Sequence, residues 1–259
     1  MKKITFSADR NGCAGHEDFT RRSSYQLAAF LILFMTQLAT SFAATSVRTV
    51  AHYKVSSKGF AIGDVTTTQH MSEEGGVPSI QFETRTAVKA SFLWMGYHQD
   101  TIEKGVLQKQ DLVSYTRKGR ENGVSIDVEG RLEHSSFRFD VREQGMARSI
   151  VIPRNSYDYT TMECPEARLD FSENKPVTLN ILDVEKMAVV KRNYHLVRNA
   201  LYTVAGKEYP CRVVDYSDQN KKARRWIAWD GSMIVMYRQD GKDDKNSYSV
   251  QATSVTRGL

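Results

Sequence analysis

Five histidines, His52, His70, His98, His134 and His195, lie beyond residue 43, and no two of them sit at metal-ligand spacing within a motif. The chain holds no H-E-x-x-H, no G-x-S-x-G, no Walker loop and no dinucleotide fingerprint. Each histidine therefore reads as a surface or strand residue unless the fold gathers several. Asp240–Asn246 has oxygen ligands but lacks the spacing and closing Glu of a calcium loop, and it reads as a charged hairpin turn. Acidic residues are plentiful, yet none stands out as the converging pair that glycan hydrolysis needs. The expectation is a protein that is not an enzyme and carries neither metal nor cofactor.

Binding is the better-supported chemistry. Lys221, Lys222, Arg224 and Arg225 form the densest cationic run, beside Trp226 and Trp229. Such a run is either a solvated hairpin tip or a contact for the phosphate head groups of a membrane surface, where each basic residue contributes about 1 kcal/mol and tryptophan favours the interface. Aromatic residues are numerous enough to line a cavity for an apolar ligand, or simply to fill a core. The candidate ligand-binding set is Trp226, Trp229, Tyr194, Phe137 and Phe139 around the apolar part, with Arg224 and Arg225 at the head group.

These side chains must be positioned by strands. In Ala223–Asp230, Trp226 and Ala228 point one way while Ile227 and Trp229 point the other, so this piece of sheet needs cover on both faces. That cover is a helix, a partner or a lipid chain. Val124, Ile126 and Val128, then Phe137, Phe139 and Val141, alternate with polar residues as half-buried strands do. Arg120-Glu121-Asn122-Gly123 and Ser57-Lys58-Gly59 mark tight hairpins. Phe92, Trp94 and Met95 fall in an apolar clump that closes one edge of the core. Residues 154–174 interrupt the strands, with room for one or two short helices and Pro165 at a helix start. The predicted fold is mainly β, a single curved antiparallel up-and-down sheet of about 10–12 strands.

At 259 residues, 41% hydrophobic and 25% charged, the composition is that of a globular protein. The run Leu27–Ala44 follows Arg21 and Arg22 and closes on Ser41-Phe42-Ala43, the pattern of an export signal cut after Ala43, although an uncleaved anchor of about 18 residues would also fit. Thr20-Arg21-Arg22 hints at the twin-arginine route. Residues 44–259 then form one domain with a formal net charge of +4, spread evenly and unlike a nucleic-acid-binding surface. The expected location is the periplasm. There, Cys164 and Cys211, the two cysteines beyond the signal, are expected to join in a disulfide worth up to ~4 kcal/mol. Two separate buried thiols are the alternative; the lack of a C-x-x-C argues against a redox pair.

Tyr53-x-Val55-x-x-x-Gly59-x-x-x-Gly63 resembles the opening of a family of uncharacterised bacterial periplasmic domains. So do Val204-Ala205-Gly206-Lys207-Glu208-Tyr209-Pro210-Cys211-x-Val213 and Arg225-Trp226-x-Ala228-x-Asp230. The resemblance covers most of residues 50–257 and implies a curved half-barrel similar to the lipoprotein-carrier and lipoprotein-receptor folds, with a hydrophobic concave side and no catalytic residue. Two functions follow as expectations: an envelope protein binding a lipid, acyl chain or lipoprotein segment, or an interaction module that takes a protein partner in an envelope assembly.

Overall fold

The computed structural model describes residues 46–74, 76–92, 95–109, 111–172, 175–230, 233–242 and 247–258. All belong to one compact unit, Ala44–Leu259. The export signal, Cys13, Trp94 and residues 243–246 of the Asp240–Asn246 loop lie outside the described residues, as do the side chains of Phe92 and Met95.

Among the described residues, fifteen strands form one sheet: β1 (Val47–Ser57), β2 (Phe60–Glu74), β3 (Val77–Phe92), β4 (Met95–Gln108), β5 (Asp111–Glu121), β6 (Val124–Glu133), β7 (Ser136–Glu143), β8 (Met146–Pro153), β9 (Tyr159–Thr160), β10 (Val177–Asp183), β11 (Ala188–Val204), β12 (Lys207–Ser217), β13 (Lys222–Trp229), β14 (Ile234–Lys242) and β15 (Ser247–Gly258). The spatial order is β8 through β1, then β15 down to β9. Two meanders therefore meet along the β1–β15 pair, and every contact but the short parallel β9–β10 pairing is antiparallel. The predicted curved antiparallel sheet is present, with more strands than the 10–12 expected. Both residues of the Lys58-Gly59 and Asn122-Gly123 turns have φ between 50° and 84°, the mirror-image geometry that matches strand twist. The interrupting segment holds two short 3-10 turns, Arg154–Ser156 and Pro165–Ala167.

Curvature in the first meander follows from glycines placed opposite rings. Phe82, Gly105, Tyr115, Gly130 and Phe139 face one another across β3 to β7. A Cβ on Gly105 would come within 2.2 Å of the Phe82 ring, and one on Gly130 within 2.7 Å of Phe137. The rings lie over the bare backbone, and the sheet bends toward them. Phe137 and Phe139, ring centroids 4.9 Å apart, are fully buried with Tyr115, Leu112 and Val128.

The second meander packs into this concavity. Tyr157, Leu182 and Val184 join the Phe137–Phe139 cluster, and the β10–β11 turn reaches β5, where Glu185 lies 3.4 Å from the Arg117 guanidinium. Arg117 is 5% exposed and also meets Glu103 at 3.5 Å and Glu121 at 3.0 Å. Burial, and then the charge of Glu185, push the Glu103 carboxyl up to about 7. Burial does the same to Glu163 in the interrupting segment, also to about 7.

Two outcomes are expected. Both carboxyls have folded-state pKa values raised above the ordinary 4.5, so the stability they confer is complete below that value and is lost as pH rises toward 7. The melting temperature should fall across that window, and Glu163→Gln should flatten the slope. Gly130→Ala should cost about 1–3 kcal/mol in urea unfolding, because the Phe137 and Phe139 rings must move to admit the methyl.

Candidate functional site

β13 sends Arg224 and Arg225 to opposite faces, as neighbours on a strand must go. Arg224 stays outside, paired with Asp215 through two bonds of 2.7 and 2.9 Å. Arg225 turns inward and donates to Glu166 Oε1 and to Gln239 Oε1. Glu166 belongs to the Pro165–Ala167 turn and is completely buried. The segment that interrupts the strands is therefore tied into the wall by an ion pair.

That pair sits in a larger polar network. The guanidinium carbons of Arg225 and Arg192 lie 4.8 and 4.6 Å from the Tyr216 ring centroid. Arg192 donates to Asp218 at 3.0 Å and approaches Asp183 at 3.6 Å. Gln239 donates to the Tyr248 hydroxyl at 2.7 Å, and Lys221 lies 5.4 Å from the Tyr248 ring centroid. Tyr194 packs 6.0 Å from Tyr216. Cations and carboxylates balance here, so the network is built to hold protein against protein. Sequence reasoning missed Glu166, Arg192 and Gln239. Arg192 had a signal, since it falls between Val190 and Tyr194 on one face of a strand and is thus a charge on the dry side.

The cysteines correct an expectation. Cys164 and Cys211 are free thiols and form no disulfide. Cys164 opens the Pro165–Ala167 turn with φ 44° and points its thiol at the Thr161 carbonyl, 3.6 Å away. Cys211 belongs to the wall, in a cluster with Val204, Val235 and Tyr237. Burial pushes the Cys164 thiol up to about 11, so it stays protonated and unreactive at neutral pH.

The candidate ligand set is divided among separate places. Phe137 and Phe139 belong to the core of the first meander and Tyr194 to a second cluster with Tyr216 and Val214. Trp226 lies on the other face from Arg225, half-buried, with Tyr202 at 6.3 Å and the Arg238 guanidinium 4.9 Å from its ring centroid. Trp229 ends β13 and is 46% exposed. It borders a cleft of about 540 Å³ with Tyr209, Pro210, Ala228, Tyr237 and Val255. Tyr237 stacks on Tyr209 at 5.1 Å and on Tyr202 at 6.0 Å, making a rigid aromatic wall. Lys207, Glu208, Asp230 and Arg257 complete the lining, Arg257 paired with Asp230. At the opposite end of β13 a second groove, about 660 Å³, has a mixed lining of apolar and charged groups; it includes Tyr194 and Arg224 of the candidate set together with Tyr216, Ala223, Asp215 and Asp240.

No protein-family model matches the chain, and no curated protein matches it. Among solved structures the chain is similar to a crystal structure described as a beta-barrel-like protein of domain of unknown function DUF1849 from Brucella abortus. The TM-score is 0.53 at 10% identity, and the match covers 82% of this chain and 98% of that one. What the two share is the fold, a barrel-like curved sheet.

Proposed function

We propose that the protein is an exported, non-enzymatic binding protein of the cell envelope that takes a lipid tail or acyl chain in the aromatic cleft at Trp229. The observation that carries this reading is the half-exposed indole beside a cleft that Tyr209, Pro210, Ala228, Tyr237 and Val255 line together with charged residues, an amphipathic lining suited to a chain with a charged head. The concave face is a poorer receptor. Phe137, Phe139 and Tyr194 are spent on internal packing, and residues 154–172 occupy the space that a carrier half-barrel would leave for its cargo. The earlier likeness to lipoprotein-carrier folds thus supports the class of ligand and not its position.

The head group also moves. Arg225 is committed to Glu166, and Arg224 stands five residues from Trp229, roughly 17 Å along the strand. Lys207, in the cleft lining, is the cation placed to meet an anionic head. Each buried methylene contributes about 0.8 kcal/mol, so roughly ten must be buried for micromolar binding.

Palmitate binding by the full chain, read by calorimetry and native mass spectrometry, checks the reading. Trp229→Ala should weaken it about tenfold without lowering the melting temperature. Lys207→Glu should weaken palmitate but leave the uncharged alcohol of the same length unchanged. Palmitate affinity equal in the parent and Trp229→Ala, or none in the parent, would remove the cleft as the site.

A further inference from the structure

β8 is the terminal strand at one end of the sheet. It pairs with β7 from Met146 to Pro153. Among the described residues, no other main-chain bond reaches 146–152. One side of an eight-residue strand thus offers free N–H and C=O groups to another strand. The opposite end of the sheet is protected by brevity, since β9 has two residues. Edge strands in soluble proteins are commonly guarded by charge or proline. β8 has Arg148 and a proline at its last position, but the rest reads Met-Ala-x-Ser-Ile-Val-Ile. Met146 is 69% exposed and Val151 56%.

We propose that β8 pairs antiparallel with β8 of a second copy, about a two-fold axis through Ser149, to join two sheets into one. Symmetry narrows the registers. Directly opposed residues in an antiparallel pair share a face, so the axis must pass through a residue and not between two. With the axis at Ser149, Met146 faces Ile152 of the other copy, Ala147 faces Val151, and Arg148 faces Ile150. Both exposed apolar side chains gain apolar partners, and no charge meets its like. With the axis at Arg148, that residue faces itself. With the axis at Ile150, Ala147 faces Pro153 and Met146 falls beyond the strand. The composition of β8 is self-complementary in one register, which favours a second copy over an unrelated segment. The interface leaves the Trp229 cleft untouched, so the two proposals stand or fall separately.

The full chain should run at twice its mass in light scattering at micromolar concentration and dissociate on dilution. In Ser149→Cys the opposed Cα atoms come within about 5 Å, inside disulfide range, and mild oxidation should give a covalent dimer. In Ala147→Cys the equivalent atoms are about 13 Å apart, and no such dimer should form. The double variant Ala147→Asp, Val151→Asp opposes like charges on solvent-facing positions. It should raise the dissociation constant at least tenfold with the melting temperature of the monomer unchanged. Monomer mass throughout, equal cross-linking at both positions, or β8 amides protected only by a different envelope protein would each overturn the pairing.

Discussion

A sheet that curls without closing must still keep its apolar concave face from water, and neither of its two meanders can do so alone. Here the cover is the chain's own: residues 154–172, between β8 and β10, which join the sheet only through the two-residue β9. Tyr157 enters the Phe137–Phe139 cluster at one end, Leu169 and Phe171 pack with Val190 and Val214 at the other, and Glu166 reaches Arg225 between them. Apolar contact alone would bury this segment loosely, since it contains only three-residue turns and a two-residue strand. The ion pair gives it one position. An unpaired carboxylate or guanidinium at that depth would be strongly destabilising, so the segment cannot leave without exposing both.

From that constraint follows a division of labour. The interior is filled, its cations balanced by carboxylates and its aromatics stacked on one another. What remains open lies outside: the aromatic cleft at the far end of β13, the groove at its near end, and the edge of β8. A binding function therefore attaches to the rim of the barrel, where side chains have exposed surface to give, and the plugged centre serves as rigid support. The arrangement also explains why so many strong candidate residues proved internal. The aromatics that could line a cavity are those that cover the plug.

Fold class was legible because period-two alternation is a direct consequence of strands with one wet face, and β6 and β7 show it without interruption. β4 escaped notice for the same reason in reverse. Its inward positions carry Thr101, Glu103 and Gly105, so no apolar stripe marks it. Around Trp226 the alternation holds along β13, with Trp226 and Ala228 in one cluster, but the extra residues at the register shifts lie on the neighbouring strands, Tyr237 on β14 and Val197 on β11. A bulge bends the strand that carries it, and no residue type announces it. Ile227 is fully buried, while Trp229 reaches the surface. The disulfide expectation rested on cysteine number and compartment; such counting cannot show that Cys164 caps the plug while Cys211 lines the wall. Glu166 lies in a stretch without periodicity, and nothing local marks it as the partner of a residue 59 positions away.

The plug's anchorage is open to a double-mutant cycle on Glu166 and Arg225, read by urea unfolding at neutral pH. Glu166→Gln and Arg225→Met should each cost about 3–5 kcal/mol, because each strands the other's charge in the interior. The double variant should cost far less than the two together, since it buries no lone charge. Additive losses, or single losses below about 0.5 kcal/mol, would mean that the pair does not hold residues 154–172 in place, and that some other contact fills the barrel.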